Sequence, residues 1–335
     1  MRRQDFPAAL FSQALIELNQ TSKDSELAVE SSSALGWRRL PNFASKGSQM
    51  KSNMKKPGVK IQSRVTSTPF ATIVLEMMMA AALLLIPNAI LAQSFFFSTG
   101  DPDGRMATAS RPGTQALQEI ESADDFVLTQ DTFIRQATFT GLVPAGTFPS
   151  NVTQVVVEIY RVFPKDSTNP PSGRVPTRNN SPSDIAFDSR DSAATDVSER
   201  LNFDIEVLSA SFTAQNSVLN GIHPLPNVTT GGEGPVSGVE VRFSVTFPNA
   251  FELPADHYFF VPQVKLDNGN FFWLSAPKPI VGAGTTPFTP DLQSWIRNEA
   301  LQPDWLRIGT DIVGGSPPPT FNASFSLHGN ISHHD

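Results

Sequence analysis

Two carboxylates that could do chemistry stand one residue apart, Asp101 and Asp103, directly before a glycine. Closely spaced oxygen ligands of this kind suit the hard cation Ca²⁺. The twelve-residue EF-hand pattern is not completed, because Pro112 occupies the position of its final glutamate. Asp-Pro-Asp-Gly is also an ordinary type I turn. The spacing therefore predicts either a plain turn or a calcium site, completed in the second case by Asp124 or Asp125.

The adjacent pair Asp124 and Asp125 is a second candidate for chemistry. Neighbouring residues of a strand point to opposite faces, so these two carboxylates cannot flank one bond as an acid and base pair. We expect one of them to accept backbone N–H bonds at the entry to a strand and the other to be solvated. Pairing of this strand with the first strand of the domain would bring it close to the Asp101 loop.

Aromatic residues supply the third candidate. Residues 93–335 contain 21 Phe, two Tyr and three Trp, so most rings are expected in the core. Glycan-binding surfaces favour Trp and Tyr, which combine an apolar face with a polar edge. The three tryptophans of this region, Trp273, Trp295 and Trp305, lie close together in sequence. They predict a ligand groove at one end of the domain or, alternatively, a secondary core beneath a short helix.

The other familiar catalytic constellations do not occur in the sequence. None of the five histidines lies at a helical i, i+4 spacing or in a His-Glu-x-x-His setting, and His333, His334 and Asp335 form only a C-terminal tail. Cysteine, a Gly-x-Ser-x-Gly elbow and a glycine-rich phosphate loop are all missing. The sequence favours a non-catalytic binding or structural module. The alternative is an extracellular hydrolase of polysaccharides with dispersed carboxylates.

An export signal is indicated by the stretch from Met77 to Gln93. Basic residues precede an apolar run, which ends at Pro87 and is followed by a small-residue exit at Ala92. The run Met77–Ile86 is about half of the roughly 20 apolar residues that a membrane span needs. We expect residues 50–92 to be a cleaved signal peptide. Residues 1–49 are expected to be a spurious or disordered extension, and the mature protein to be secreted, extracellular or periplasmic.

Charge narrows the choice of partners. Residues 93–335 carry 26 Asp and Glu against 14 Lys and Arg, a net charge of −12. An acidic surface repels phosphate backbones and anionic headgroups. We therefore expect a glycan or another cell-surface polymer as partner, no nucleic acid, and membrane contact only through the signal peptide.

The elements that must position these residues are β-strands. Strict alternation is clearest over Val239–Phe247 and recurs over Leu201–Thr213. Further β-rich runs begin at Thr132, Val155, Tyr258 and Phe271. Many short strands without alternating helices predict an all-β, antiparallel β-sandwich, jelly-roll-like, over residues 93–335.

A short helix, a hairpin and a long insert are also predicted. Residues 291–300 carry Leu292, Trp295 and Ile296 on one face of a short helix, with Asp291 as its N-cap. Asn268-Gly269 suits a tight hairpin. The polar stretch 165–200 predicts a long mobile insert or a sub-domain boundary.

The run Glu121–Leu128, ESADDFVL, carries a short signature. With the aromatic stretch from Ser94, the strand from Val155, the Pro170–Pro176 loop and the final stretch from Phe321, it resembles bacterial exported β-sandwich domains with an "ADDF" signature. The insert at 165–200 departs from that pattern. The resemblance implies a sandwich fold and export, and it implies no particular activity.

Overall fold

A computed structural model describes residues 93–332, except positions 148, 224, 226–227, 282–284 and 286. The extension predicted at 1–49, the signal peptide at 50–92 and the tail His333-His334-Asp335 lie outside the described residues. Within the described part of the chain, no helix is long and apolar enough to cross a membrane.

The described residues contain fifteen strands in two sheets, as the alternating sequence patterns predict. The nine-stranded sheet contains β1 (Ser94–Ser98), β2 (Met106–Ala109), β4 (Thr132–Val143), β7 (Asn202–Ala214), β8 (Asn216–Val218), β9 (Val236–Leu253), β11 (Phe272–Ala276), β14 (Asn322–Ala323) and β15 (Phe325–Ile331). The six-stranded sheet contains β3 (Ile120–Val127), β5 (Val152–Arg161), β6 (Asp188–Asp191), β10 (His257–Leu266), β12 (Trp295–Asn298) and β13 (Leu306–Arg307). The expected all-β antiparallel sandwich is confirmed.

Strand β4 organises the larger sheet. It pairs with β9 along one edge, and with β15 and then β11 along the other. In the smaller sheet the order is β13-β12-β3-β10-β5-β6. The named ladders are antiparallel, except for the parallel pair β2 and β8.

The main core lies between the two sheets. Val241, Phe243 and Val245 of β9 are buried, whereas Ser244 and Thr246 are exposed, which is the alternation read from the sequence. The buried residues of this core are mostly Phe, Val and Ile. A domain without cysteine is therefore held together by burial of apolar side chains.

A second apolar layer covers the outer face of the six-stranded sheet. Tyr160, Phe259, Trp295 and Trp305 are its large buried residues. The indole of Trp305 donates a hydrogen bond of 3.2 Å to the carbonyl of Ser183, which belongs to the insert. The insert therefore packs against this face.

Buried charges also hold part of the insert, whose mobility stays a prediction from its composition. Arg178 is fully buried and makes ion pairs with Asp184 at 2.5 Å and with Asp304 at 3.3 Å. Short β6 extends the smaller sheet by pairing with β5. The pair with Asp304 joins distant parts of the sequence, and both ion pairs allow charged residues of the insert to be buried.

The helix predicted at 291–300 is wrong. Residues Trp295–Asn298 form β12, which pairs with β3 and β13. Trp295 and Arg297 lie in the outer layer, whereas Ile296 packs in a different cluster, so the period is two. Tertiary pairing overrides the local helical spacing. The described helical structure is a short π-helical segment at Ile308–Val313, with two 3-10 turns at Pro149–Asn151 and Val197–Glu199.

Two predicted pairings also fail. The Asn268-Gly269 turn joins β10 to β11, but these strands belong to opposite sheets and form no hairpin. Gly269 has the positive φ of 86° that a turn of this sharpness requires. Strand β1 pairs with β15 in the larger sheet, whereas Asp124 and Asp125 lie on β3 in the smaller one.

Candidate functional site: a pocket at Trp295

The three tryptophans singled out by the sequence are all buried. The indole of Trp273, in the core between the sheets, donates a hydrogen bond of 2.9 Å to the carbonyl of Ser324. The indole of Trp305 has its acceptor in the insert. The Nε1 atom of Trp295 is buried but has no hydrogen-bond partner among the described residues. Of the three, Trp295 is therefore the one with an unused polar group.

Trp295 forms part of the wall of a pocket of about 310 Å³. Three segments meet there: the insert, the chain that leads into β12, and the end of β13. The lining residues are Asn179, Asn180, Pro290, Asp291, Leu292, Gln293, Trp295 and Arg307. The structure thus places one of the three predicted ligand-binding tryptophans at a pocket, whereas Trp273 and Trp305 do not line it.

Neighbouring residues hold the charged and polar side chains of the pocket wall in place. Asp311 accepts hydrogen bonds from the backbone N–H of Arg307 at 2.8 Å and from its guanidinium at 2.6 and 3.0 Å. Lys278 donates to the Asp291 carboxylate at 2.9 Å. Gln293 accepts a bond of 2.7 Å from the Thr310 hydroxyl. The pocket wall that Trp295 helps to form therefore contains several polar groups held in fixed positions.

Asp124 and Asp125 hold the segment that leads into β12. The two oxygens of Asp125 lie 3.1 Å from the backbone N of Leu292, and Asp124 accepts bonds of 2.8 Å from the Ser294 hydroxyl and from the Ala323 backbone N–H. Both carboxylates are buried, so the prediction that one is solvated is wrong. Their predicted task of accepting backbone N–H bonds applies to both.

The environment of the two carboxylates raises their pKa values. Burial is the main cause of the raised pKa of Asp124, and the nearby charge of Asp125 adds to it. Burial also raises the pKa of Asp125, against the opposing effect of His257, whose Nε2 lies 2.6 Å from its carboxylate. Asp124 binds Ser294 and the backbone of Ala323, and Asp125 binds His257 and the backbone of Leu292, which makes both carboxylates positioning residues for the pocket.

The predicted calcium ligands do not form a cluster. Asp103 accepts hydrogen bonds from the Ser275 hydroxyl at 2.5 Å and from the Arg105 backbone N–H at 3.0 Å, while the side chain of Asp101 is 94% exposed. The described residues contain no group of three or more His, Asp or Glu side chains arranged to hold a metal ion. Calcium binding stays a prediction from the sequence.

A polar cluster that the sequence reasoning missed lies on the same outer face of the sheet. Arg297, two residues beyond Trp295, pairs with Glu121 across the β12–β3 ladder. Its guanidinium also donates a bond of 2.8 Å to the Tyr160 hydroxyl, which lies 2.8 Å from Glu121 and 3.2 Å from Glu158. One guanidinium thus faces two carboxylates joined through a tyrosine.

The electrostatics of this cluster favour the protonated form of Glu158. Burial, followed by the charges of Glu121 and Glu119, raises the pKa of Glu158 to about 8. Burial and Glu121 raise the pKa of Glu119 as well. Residues of three strands form this cluster. Its only signal in the sequence is Glu158, a charged residue within the apolar run Val155–Tyr160.

The fold and the pocket define an all-β sandwich protein with a polar cavity at Trp295. Comparisons with models of protein families, with curated proteins and with solved structures return no match. The likeness to exported domains with an "ADDF" signature therefore rests on the residues quoted above.

Proposed function

We propose that this protein is a non-catalytic binding module that holds a hydroxyl-rich ligand, a short segment of glycan, in the Trp295 pocket. Two observations carry the proposal: Trp295 lines this pocket, and its buried indole N–H has no hydrogen-bond partner among the described residues. A buried donor without an acceptor costs about 1–3 kcal/mol. A ligand oxygen placed against Nε1 would remove that penalty.

The remaining lining groups support a ligand of this chemistry. The side-chain amides of Asn179, Asn180 and Gln293 offer both donors and acceptors, as sugar hydroxyls require. The volume of about 310 Å³ lies at the lower end of the roughly 300–1,000 Å³ found for small-molecule pockets. A ligand of one or two sugar rings, at the end or along the side of a longer polymer, is the expected occupant.

We further propose that the module works outside the cytoplasm, as a secreted or cell-surface protein. The basic flank, the short apolar run and the Ala92 exit support export. The acidic residues 93–335 support a neutral polymer as partner and disfavour nucleic acid. Glycans of cell surfaces and matrices fit both arguments.

The second candidate function is hydrolysis of a polysaccharide, and the carboxylate cluster favours it. A glutamate with a pKa raised to about 8, beside another carboxylate, is the environment of a general acid. Two observations argue against a catalytic role. Glu121 is buried and forms an ion pair with Arg297, and neither Glu121 nor Glu158 lines the Trp295 pocket. We therefore rank binding above catalysis.

One experiment separates the two functions. The protein is applied to an array of neutral plant, fungal and bacterial glycans, and the same glycans in solution are screened for new reducing ends. Binding without turnover is the expected result. Turnover that disappears in Glu158→Gln would reject the non-catalytic proposal in favour of the hydrolase.

A further inference from the structure

A second cavity lies apart from the Trp295 pocket, at the end of the larger sheet. This cleft has a volume of about 480 Å³ and is lined by Arg105, Met106, Gln215, Asn216, Gly231, Gly232, Gly234, Val313, Pro319 and Phe321. No residue is shared with the Trp295 pocket. Two turns that are far apart in the sequence meet at this cleft. One is Asp101–Gly104, which Arg105 follows, and the other is Gly231–Pro235.

The glycine loop presents its backbone to this cleft. Gly231, Gly232 and Gly234 have φ values of 81°, 81° and 83°, a region that glycine alone adopts readily. A Cβ at Gly232 would lie 2.5 Å from the Asn216 side chain and 2.8 Å from the Ser217 carbonyl. The loop can therefore take its shape only with glycine at 232.

Neighbouring groups hold the loop in place. Asn216 donates a hydrogen bond to the Gly231 carbonyl at 2.8 Å and accepts one from the Gly234 backbone N–H at 2.9 Å. The Gly231 N–H donates to the Ile312 carbonyl. By contrast, the Gly232 N–H makes only a long contact of 3.4 Å with the Thr230 hydroxyl. Gly232 thus offers a weakly used donor at a fixed position.

Among the described residues that line the cleft, Arg105 is the only ionisable one, although the chain as a whole is acidic. It is exposed, and its guanidinium makes one hydrogen bond, of 3.2 Å, to the Thr320 carbonyl. Two acids close in sequence to lining residues make other contacts. Glu233 accepts bonds from the backbone N–H groups of Leu219, Asn220 and Gly221, and Asp103 binds the Ser275 hydroxyl.

We propose that this cleft is a second binding site, which takes a carboxylate carried on a hydroxylated molecule, such as a sugar acid. The planar guanidinium of Arg105 pairs with the carboxylate through two parallel N–H bonds. The Gly232 N–H and the exposed amide of Gln215 bind the neighbouring oxygens. A single guanidinium matches a single negative charge.

Ligand-observed NMR titration of the full chain with D-glucuronate, and with D-glucose as the neutral analogue, tests the proposal. We expect glucuronate to bind and glucose to bind at least tenfold more weakly. Arg105→Gln should weaken glucuronate binding at least tenfold, whereas Arg135→Gln, which removes an exposed guanidinium from β4, should leave it unchanged. Equal binding of the two sugars, or equal loss in both variants, would overturn the proposal.

A second variant tests the cleft without altering charge. Gly231 has a positive φ that Asn tolerates, and a Cβ there would meet no atom within 4 Å. Gly231→Asn should fold with somewhat lower stability, because this φ strains a residue with a Cβ, and it should weaken glucuronate binding by partly filling the cleft. Trp295→Phe should leave glucuronate binding intact, so failure of the glycan proposal and failure of this one are distinguishable. Unchanged binding in Gly231→Asn would place the sugar acid elsewhere on the surface.

Discussion

Replacing Glu158 by glutamine should change how the stability of this protein depends on pH. The pKa of Glu158 is about 8 in the folded protein, against 4.5 as the ordinary value for an exposed glutamate. Between these two values the folded state holds a proton that the unfolded state has lost. Its contribution to stability is therefore complete below about pH 4.5 and is lost as the pH rises to about 8.

The size of the effect follows from the same two values. One proton of difference lowers the free energy of unfolding by about 1.4 kcal/mol for each pH unit. Over the interval from about 4.5 to about 8, the loss amounts to on the order of 3–5 kcal/mol. Glutamine keeps the shape of the protonated side chain and cannot ionise, so this part of the pH dependence should disappear in Glu158→Gln.

Urea denaturation, followed by tryptophan fluorescence between pH 4.5 and 9, measures this effect. The difference in unfolding free energy between Glu158→Gln and the unchanged protein should increase with pH in favour of the variant. The control is Glu206→Gln on β7, whose side chain is 65% exposed. Parallel stability curves for the unchanged protein and Glu158→Gln would refute the reasoning about burial and carboxylate repulsion.

Two further predictions concern the fold and the export signal. Phe243→Asp would bury an unpaired charge against the stacked ring of Phe139, at a cost of several kcal/mol, and should abolish folding. Arg242→Asp, on the half-buried opposite face, should have only a mild effect on stability. Circular dichroism and thermal melts compare the two variants, and equal tolerance of both would contradict the assignment of faces. N-terminal sequencing of the protein exported by its host should find Gln93 or a close neighbour as first residue, and a product that retains Met77 would contradict cleavage.

Two long strands could be read from the sequence because their residues alternate regularly. The stretches Leu201–Thr213 and Val239–Phe247 show this pattern, and they correspond to β7 and to part of β9 in the larger sheet. By contrast, the four residues of β12 are too few to show a period. They form a strand because they pair with Glu121 and its neighbours in β3. The Asn268-Gly269 turn was recognised, but nothing local reveals that its two strands enter different sheets.

The candidate site was only partly predictable. The composition of the chain drew attention to Trp295, but the lack of an acceptor for its indole N–H depends on residues from three distant segments. Likewise, Glu121 and Glu158 are 37 residues apart and meet only through the order of β3, β10 and β5. Asp124 and Asp125 were placed correctly on a strand, but their burial depends on backbone partners near residues 292 and 323.

Trp295→Phe tests most directly whether the Trp295 indole N–H binds the ligand. Phenylalanine keeps an aromatic ring and removes the donor. The matched control is Trp305→Phe, because that indole donates to the Ser183 carbonyl within the protein. Affinities of both variants are measured by calorimetry with the glycan that the array selects.

Trp295→Phe should weaken binding by about tenfold, the value of one hydrogen bond of about 1.4 kcal/mol. Thermal stability should change little, because removal of the unpaired buried donor offsets the packing that is lost with the smaller ring. Trp305→Phe should lower stability, because it leaves a buried carbonyl unpaired, and should keep the affinity of the folded protein. Unchanged affinity in Trp295→Phe, with the protein folded, would contradict the account.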